Sequence, residues 1–378
     1  MYPEYHKKTI FGKHGLQIQD HKRIKLMKRR TFLKQGTITT ASLLLFNDLM
    51  ASSANRSHMS PKIKPIAGSW FEFLHGSEAE GKYWNPALPG FTEAQWKAKV
   101  LEIKETGMEY LVLMSVANNG KTFYPSKLQP RYDYACSDPL EAILTAADDC
   151  GIKFFVSNDF WVDWRETDRM MKDPKIALMR EKAMEEIAGK YGHHKSFYGW
   201  YYPNETGISG VIDDTTLKYV NHCTRIARRL MPESVNLIAP YGTNSVRADD
   251  AYVRQLEKLD IDIIAYQDEI GVRKTKAGDA GQYFEALYKA HLRAGRSRLW
   301  ADMEIFDFEG DVYKSALVPA DFDRILKQME DISPFVEHIL IYQYMGIMNK
   351  PGSAASIGHP NSEALYNRYM SWLKSQRS

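Results

Sequence analysis

Beyond residue 60 the chain alternates short apolar runs with longer amphipathic stretches, and the alternation repeats eight times. Tyr110–Val116 is apolar at nearly every position, as a strand buried on both faces should be. Ile66–Phe73, Ile152–Ser157, Phe197–Pro203, Val235–Ala239, Ile261–Tyr266, Arg298–Ile305 and His338–Tyr342 share its β-branched and aromatic character. Helical stretches lie between them. The first opens at Thr92, where Thr92-Glu93-Ala94-Gln95 spells a capping box, and is followed by Pro139–Asp149, Pro174–Tyr191 and Asp214–Leu230. Asp249–Leu259, Gly281–Ala294, Ala320–Asp331 and Ser362–Lys374 continue the rhythm. Gly107, Gly151 and Gly295 fall just past helices, where a left-handed cap would precede the next strand.

Strands alternating with helices imply parallel pairing through right-handed crossovers. Eight rounds over about 310 residues predict an α/β protein folded as a single (β/α)8 TIM barrel. The rival, an open doubly wound sheet, is expected to carry a glycine-rich phosphate turn after its first strand. Phe73-Leu74-His75-Gly76-Ser77 is not such a turn. Residues 55–378 show no internal repeat, low-complexity tract or long linker, so they are read as one domain.

Charge changes the picture at the start of the chain. Ten of the 50 Lys/Arg but only three of the 47 Asp/Glu fall in residues 1–54, so the remainder is net acidic despite the overall charge of +3. A mildly acidic body disfavours a nucleic-acid partner. Lys28-Arg29-Arg30-Thr31-Phe32-Leu33-Lys34 is similar to the twin-arginine export consensus. Apolar Ala41–Phe46 and small Ala51-Ser52-Ser53-Ala54 follow as core and cleavage region. Residues 1–54 are therefore expected to be an extension plus signal peptide, with Met27 an alternative start and the body exported to the periplasm or beyond. The apolar run is too short for a permanent membrane span. Cys136, Cys150 and Cys223 are widely spaced without a CxxC, which points to buried apolar thiols rather than a metal cluster or disulfide framework. Oligomeric state leaves no mark in the sequence.

In such a barrel the chemistry belongs where the strands end. Polar groups gather at those positions: Glu72 and His75, Asn158-Asp159, Asn204-Glu205, Tyr241 and Asn244, Tyr266-Gln267-Asp268-Glu269, Asp302 and Glu304, and Tyr342-Gln343-Tyr344. Glycoside hydrolysis usually needs one carboxylic acid to protonate the leaving oxygen and a second carboxylate across the bond. Glu205 and Glu304 end the fourth and seventh strands, which face each other across an eight-stranded mouth. Here Asn204-Glu205 and Trp300-Ala301-Asp302-Met303-Glu304 resemble the clan A glycoside hydrolases, which carry Asn-Glu after strand four and Glu after strand seven.

That resemblance implies a retaining mechanism without a cofactor. Glu304 would be the nucleophile, Glu205 the acid/base, Asn204 the ligand of the sugar 2-hydroxyl and Tyr266 a hydrogen-bond donor beside the nucleophile. The carboxyls would lie ~5–5.5 Å apart. Asp302 shares strand parity with Glu304, and Asp302 or Asp268 as second carboxylate would give inversion. Clan members tend to carry Trp on strand eight, where this chain has Tyr342 and Tyr344. Phe123-Tyr124-Pro125-Ser126 and Tyr198-Gly199-Trp200-Tyr201 also resemble a poorly characterised bacterial family of exported, glycosidase-like barrels.

Rim aromatics suit an oligo- or polysaccharide substrate, since rings stack on sugar faces. Trp161 and Trp164 lead as platforms, with Tyr124, Tyr202, Phe306, Phe308 and Tyr344 behind them; Asn158, Asp159, Gln267 and Asp268 complete the expected binding set. Each has a plainer reading: Glu205 and Glu304 as partners of an Arg or a helix terminus, Asn204 as a turn residue, Glu269 as a solvated loop residue. His193-His194 precede strand four and fall at the wrong end for catalysis. A metal site from Glu72, His75 and Asp159 is set aside, and no metal is expected. No Gly-x-Ser-x-Gly occurs, against a serine hydrolase. The alternatives are a carbohydrate-binding barrel without catalysis and a metal-dependent hydrolase on the same frame.

Overall fold

The structure, a computed structural model, describes residues 62–204 and 207–376. Strand β1 (Ile66–Phe71) pairs on one side with β2 (Tyr110–Leu113) and on the other with β8 (Ile339–Tyr342), which closes the sheet. Strands β3 (Lys153–Ser157), β4 (Phe197–Tyr201), β5 (Val235–Ile238), β6 (Ile263–Gln267) and β7 (Arg298–Glu304) complete the ring in sequence order, all parallel. Helices α1 (Glu93–Glu105), α2 (Pro139–Cys150), α3 (Pro174–Tyr191), α4 (Asp214–Leu230), α5 (Asp250–Lys258), α6 (Ala280–Ala294), α7 (Phe322–Ile332) and α8 (Ser362–Ser375) follow the strands in turn. This is the single (β/α)8 barrel that the alternation predicts.

The period-2 alternation of strand side chains sorts the core into two layers. Trp70, Tyr110, Val112, Phe155, Tyr201, Leu237, Ile263, Ala265, Trp300 and Leu340 fill the barrel interior. Phe71, Leu111, Phe154, Trp200, Tyr202, Ile264, Tyr266, Ala301, Met303 and Ile341 pack outward against the helices. On β7 the two faces are plain: Trp300 points in, while Leu299, Ala301 and Met303 point out.

Helix termini follow the residue types. Thr92 accepts from the Gln95 amide, and Gln95 Oε1 accepts from the Thr92 amide at 3.0 Å, so the capping box forms. Gly107, Gly151 and Gly295 are left-handed, with φ of 89°, 70° and 59°. Gly199 serves a different need. A Cβ there would lie 1.5 Å from the Val235 carbonyl oxygen on β5, so only glycine lets β4 and β5 approach. Gly199→Ala should cost about 3 kcal/mol or more, read as a lowered urea midpoint.

Several strands stop earlier than expected. The second ends at Leu113 rather than Val116, and Ala117–Asn118 then pairs with Lys121–Thr122 in a small hairpin. A second hairpin joins Phe306–Phe308 to Leu317–Pro319, and a short helix covers Thr167–Lys172. These pieces are too short to show a period in sequence. All three cysteines are free, with Cys136 and Cys223 buried as apolar thiols. Among the described residues no helix is long and apolar enough to cross a membrane. The expected signal peptide falls in residues 1–54, outside the described residues.

Candidate active site

The inward parity of the interior layer, carried one step further at the C-terminal mouth, reaches Glu72 just past β1, Gln267 on β6, Asp302 and Glu304 on β7, and Tyr342 on β8. Three carboxylates therefore share a low-dielectric mouth. Glu304 is 4% exposed, and its Oε2 accepts the Val272 amide at 2.8 Å. The loop after β6 thus folds over the end of β7. Asp268 lies behind: its Oδ1 accepts the Glu304 amide at 3.0 Å and its Oδ2 accepts Gln328 Nε2 from α7 at 2.6 Å. Arg324 and Gln328 both donate to the Glu304 carbonyl, at 3.1 and 3.0 Å. The backbone of Glu304 is fixed from three sides.

Burial is the main electrostatic fact here. It pushes Glu304 well above the usual carboxylate range, and the charges of Asp268 and Glu269 push the same way. Burial likewise raises Asp268 to about 6, against donors from Gln328 and the Glu304 amide. Glu269 is itself buried, contrary to the solvated-loop expectation. Its Oε2 accepts the Gly242 and Thr243 amides at 2.8 and 2.9 Å, and so ties the loop after β6 to the loop after β5.

A second cluster lies on the β1–β8 side of the mouth. Glu72 Oε1 accepts from Trp84 Nε1 and Gln343 Nε2, both at 2.7 Å, and its Oε2 faces His75 Nδ1 at 3.3 Å. The Tyr342 hydroxyl is 3.0 Å from His75 Nδ1, and register pairs Tyr342 with Glu304. Burial alone would raise Glu72, but the His75 charge and the surrounding donors hold it below its usual range. Burial opposes the charge on His75 too, yet Glu72 and Glu80 lift it to about 10. A group raised in the folded state stabilises fully below its ordinary pKa of 6.5, and that contribution is lost as pH rises through about 10. The stability gap between wild type and His75→Gln, on the order of 3 kcal/mol at pH 6, should therefore close by pH 11 in urea titrations.

Other expected site residues face elsewhere. Tyr266, one position after inward Ala265, turns outward, with its hydroxyl 2.6 Å from that of Tyr252 and 3.0 Å from His291 Nε2. It is thus not beside Glu304. Tyr202 donates to Thr224 on α4 at 3.2 Å, and Tyr344 packs near Lys99 of α1. Trp161 is fully buried, its Nε1 donating to the Asn158 carbonyl, so it offers no platform. Asn158 points toward Met184 of α3 at 3.7 Å.

Asp159 is paired with Arg180 of α3 at 2.5 Å, both buried, so it does not join Glu72 and His75. Asn204 spends its amide donors on Asp159 at 2.8 Å and the Tyr219 hydroxyl at 2.9 Å, rather than on the mouth. Trp164 stays half-buried on the loop, donating to the Gly76 carbonyl at 3.2 Å, and remains the platform candidate. Gln267 is half-buried and pairs in register with Asp302. Glu205 lies outside the described residues. Glu72, His75 and Tyr342 were missing from the expected binding set, though the parity of Trp70 and Leu340 would have found two of them.

A family model described as a domain of unknown function (DUF4434) matches residues 66–355. No curated protein matches the sequence. Among solved structures, the chain is similar to a candidate α-L-fucosidase from Bacteroides thetaiotaomicron VPI-5482. The TM-score is 0.65 at 16% identity, covering 90% of this chain and 99% of that one. It is also similar to an endo-β-1,4-mannanase from Thermotoga petrophila, with TM-score 0.56, 10% identity and coverage of 85% and 79%. The endo-1,4-β-mannanase from Rhizomucor miehei gives 0.50, 9% and coverage of 82% and 95%. At such identities these likenesses establish the barrel that glycosidases share, and the chemistry has to be argued from the mouth.

Proposed function

The chain belongs to the DUF4434 family, and we propose that it is a glycoside hydrolase acting on an oligo- or polysaccharide through Glu304 and Glu205. The observation that carries this reading is Glu304. It is a buried carboxyl on the inward face of β7, held by a backbone amide and immobilised through its own main chain. Desolvating a carboxylate is costly, and such a group at a barrel mouth fits chemistry better than packing.

In the proposed reaction Glu304 attacks the anomeric carbon while Glu205 protonates the departing glycosidic oxygen. A glycosyl ester forms on Glu304. Water then attacks the same carbon, Glu205 takes its proton, and both carboxyls return to their starting states. Tyr342, paired in register with Glu304, and Gln267 would meet the sugar, and Trp164 would stack on it. Export forms part of the same reading, supported by the basic pair Arg29-Arg30 and the apolar Ala41–Phe46.

Hydrolysis of a panel of aryl glycosides by wild type, Glu205→Gln and Glu304→Gln tests the proposal. Cleavage of at least one glycoside, lost in both variants with folding intact, is expected. Activity that survives both substitutions would sink the assignment and direct attention to Asp302 and Asp268. Sugar binding without any hydrolysis would favour a non-catalytic carbohydrate-binding barrel.

A further inference from the structure

At the opposite face of the barrel, His193 and His194 sit on the turn between α3 and β4, against helix α2. The two rings lie 4.2 Å apart between centroids. One ligand atom each from Glu141, His193 and His194 falls within 4.8 Å of the others. Ligands about 2.1 Å from a tetrahedral ion stand roughly 3.4 Å apart, so closure needs only a small movement of the exposed His193.

His194 is already held as a ligand would be. Its Nδ1 lies 2.7 Å from Asp148 Oδ2, and Asp148 Oδ1 accepts the Ser196 amide at 2.6 Å, which fixes that carboxylate. A carboxylate can only accept, so Nδ1 carries the proton and the ring is oriented through Asp148. The far nitrogen, Nε2, faces Glu141 Oε2 at 3.2 Å. Two electron-rich atoms at that separation require a proton or a cation between them. Carboxylate–histidine pairs of this form are a recurrent support for bound metal.

We propose that Glu141, His193 and His194 bind one divalent transition-metal ion, zinc being the best match to two imidazoles and a carboxylate, with Asp148 as positioning residue. The ion would clamp α2 to the turn that enters β4. It lies on the face of a barrel where stability rather than catalysis is built, so the proposal is independent of the glycosidase reading.

The test is calorimetric titration of the metal-stripped full chain with zinc chloride alone, beside His193→Ala and Asp148→Asn. One equivalent should bind with Kd below about 10 μM. Affinity should fall at least ~10-fold in His193→Ala, and about 10-fold in Asp148→Asn, which keeps the shape but weakens the support. Zinc should also raise the Tm of wild type more than that of His193→Ala, because the ion favours the folded state. Absence of binding up to about 100 μM would overturn the proposal and leave a proton bridging His194 and Glu141. Binding unchanged in His193→Ala would overturn it equally, by placing the metal on other histidines of the chain.

Discussion

Glu304→Gln should lower kcat by at least ~10⁴-fold, because an amide cannot form the glycosyl ester. Stability should not suffer. Burial and the nearby Asp268 and Glu269 charges disfavour the ionised carboxylate, so the neutral isostere should unfold within about 1 kcal/mol of wild type, or later. A catalytic group that gains stability on neutralisation is the pattern expected of a functional carboxylate. Azide supplied to Glu304→Ala should restore turnover and release a glycosyl azide of inverted configuration. The pH profile supplies a second readout. In the proposed reaction Glu304 must be ionised to attack, so the acidic limb of kcat/KM should lie above the ordinary Glu value of about 4.3. Asp268→Asn removes a like charge behind it and should move that limb to lower pH.

Arg180→Met should destabilise the fold by about 3–5 kcal/mol, seen as a fall in the urea midpoint. The guanidinium is buried against Asp159 at 2.5 Å, and it also donates to the Met170 carbonyl at 2.5 Å. Removing it strands a buried carboxylate with the neutral donors Asn204, the Tyr219 hydroxyl and the Trp161 amide. The double variant Arg180→Met/Asp159→Asn should recover at least about half of the loss, because no charge is then left buried. Equal losses in the single and double variants would show that the cost comes from packing of the long Arg side chain and not from charge.

The barrel was legible because most strands are dense apolar runs and several helices announce an end, as Thr92 and Gly151 do. Which residues gather at the mouth was legible only in part. Position at a strand's end selects the rim, whereas parity decides whether a side chain enters the barrel. Glu304 satisfies both, two and four residues from inward Asp302 and Trp300. Tyr266 and Tyr202 satisfy only the first, each one residue past an inward neighbour, and both serve helix packing instead. The same rule, applied from Trp70 and Leu340, points to Glu72 and Tyr342. Other features left no local trace. Val272 reaches Glu304 across 32 residues of chain, and Arg180 reaches Asp159 across 21, so only the closed barrel brings them together.

Covalent trapping would identify the nucleophilic carboxylate outright. The protein would be incubated with 2-deoxy-2-fluoro glycosides carrying good leaving groups, chosen from sugars that it hydrolyses, and then digested and mapped by mass spectrometry. One glycosyl unit per chain should be found, attached to Glu304, with loss of activity in step with labelling. A label on Asp302 or Asp268, or full inactivation without any covalent adduct, would rule Glu304 out as the nucleophile.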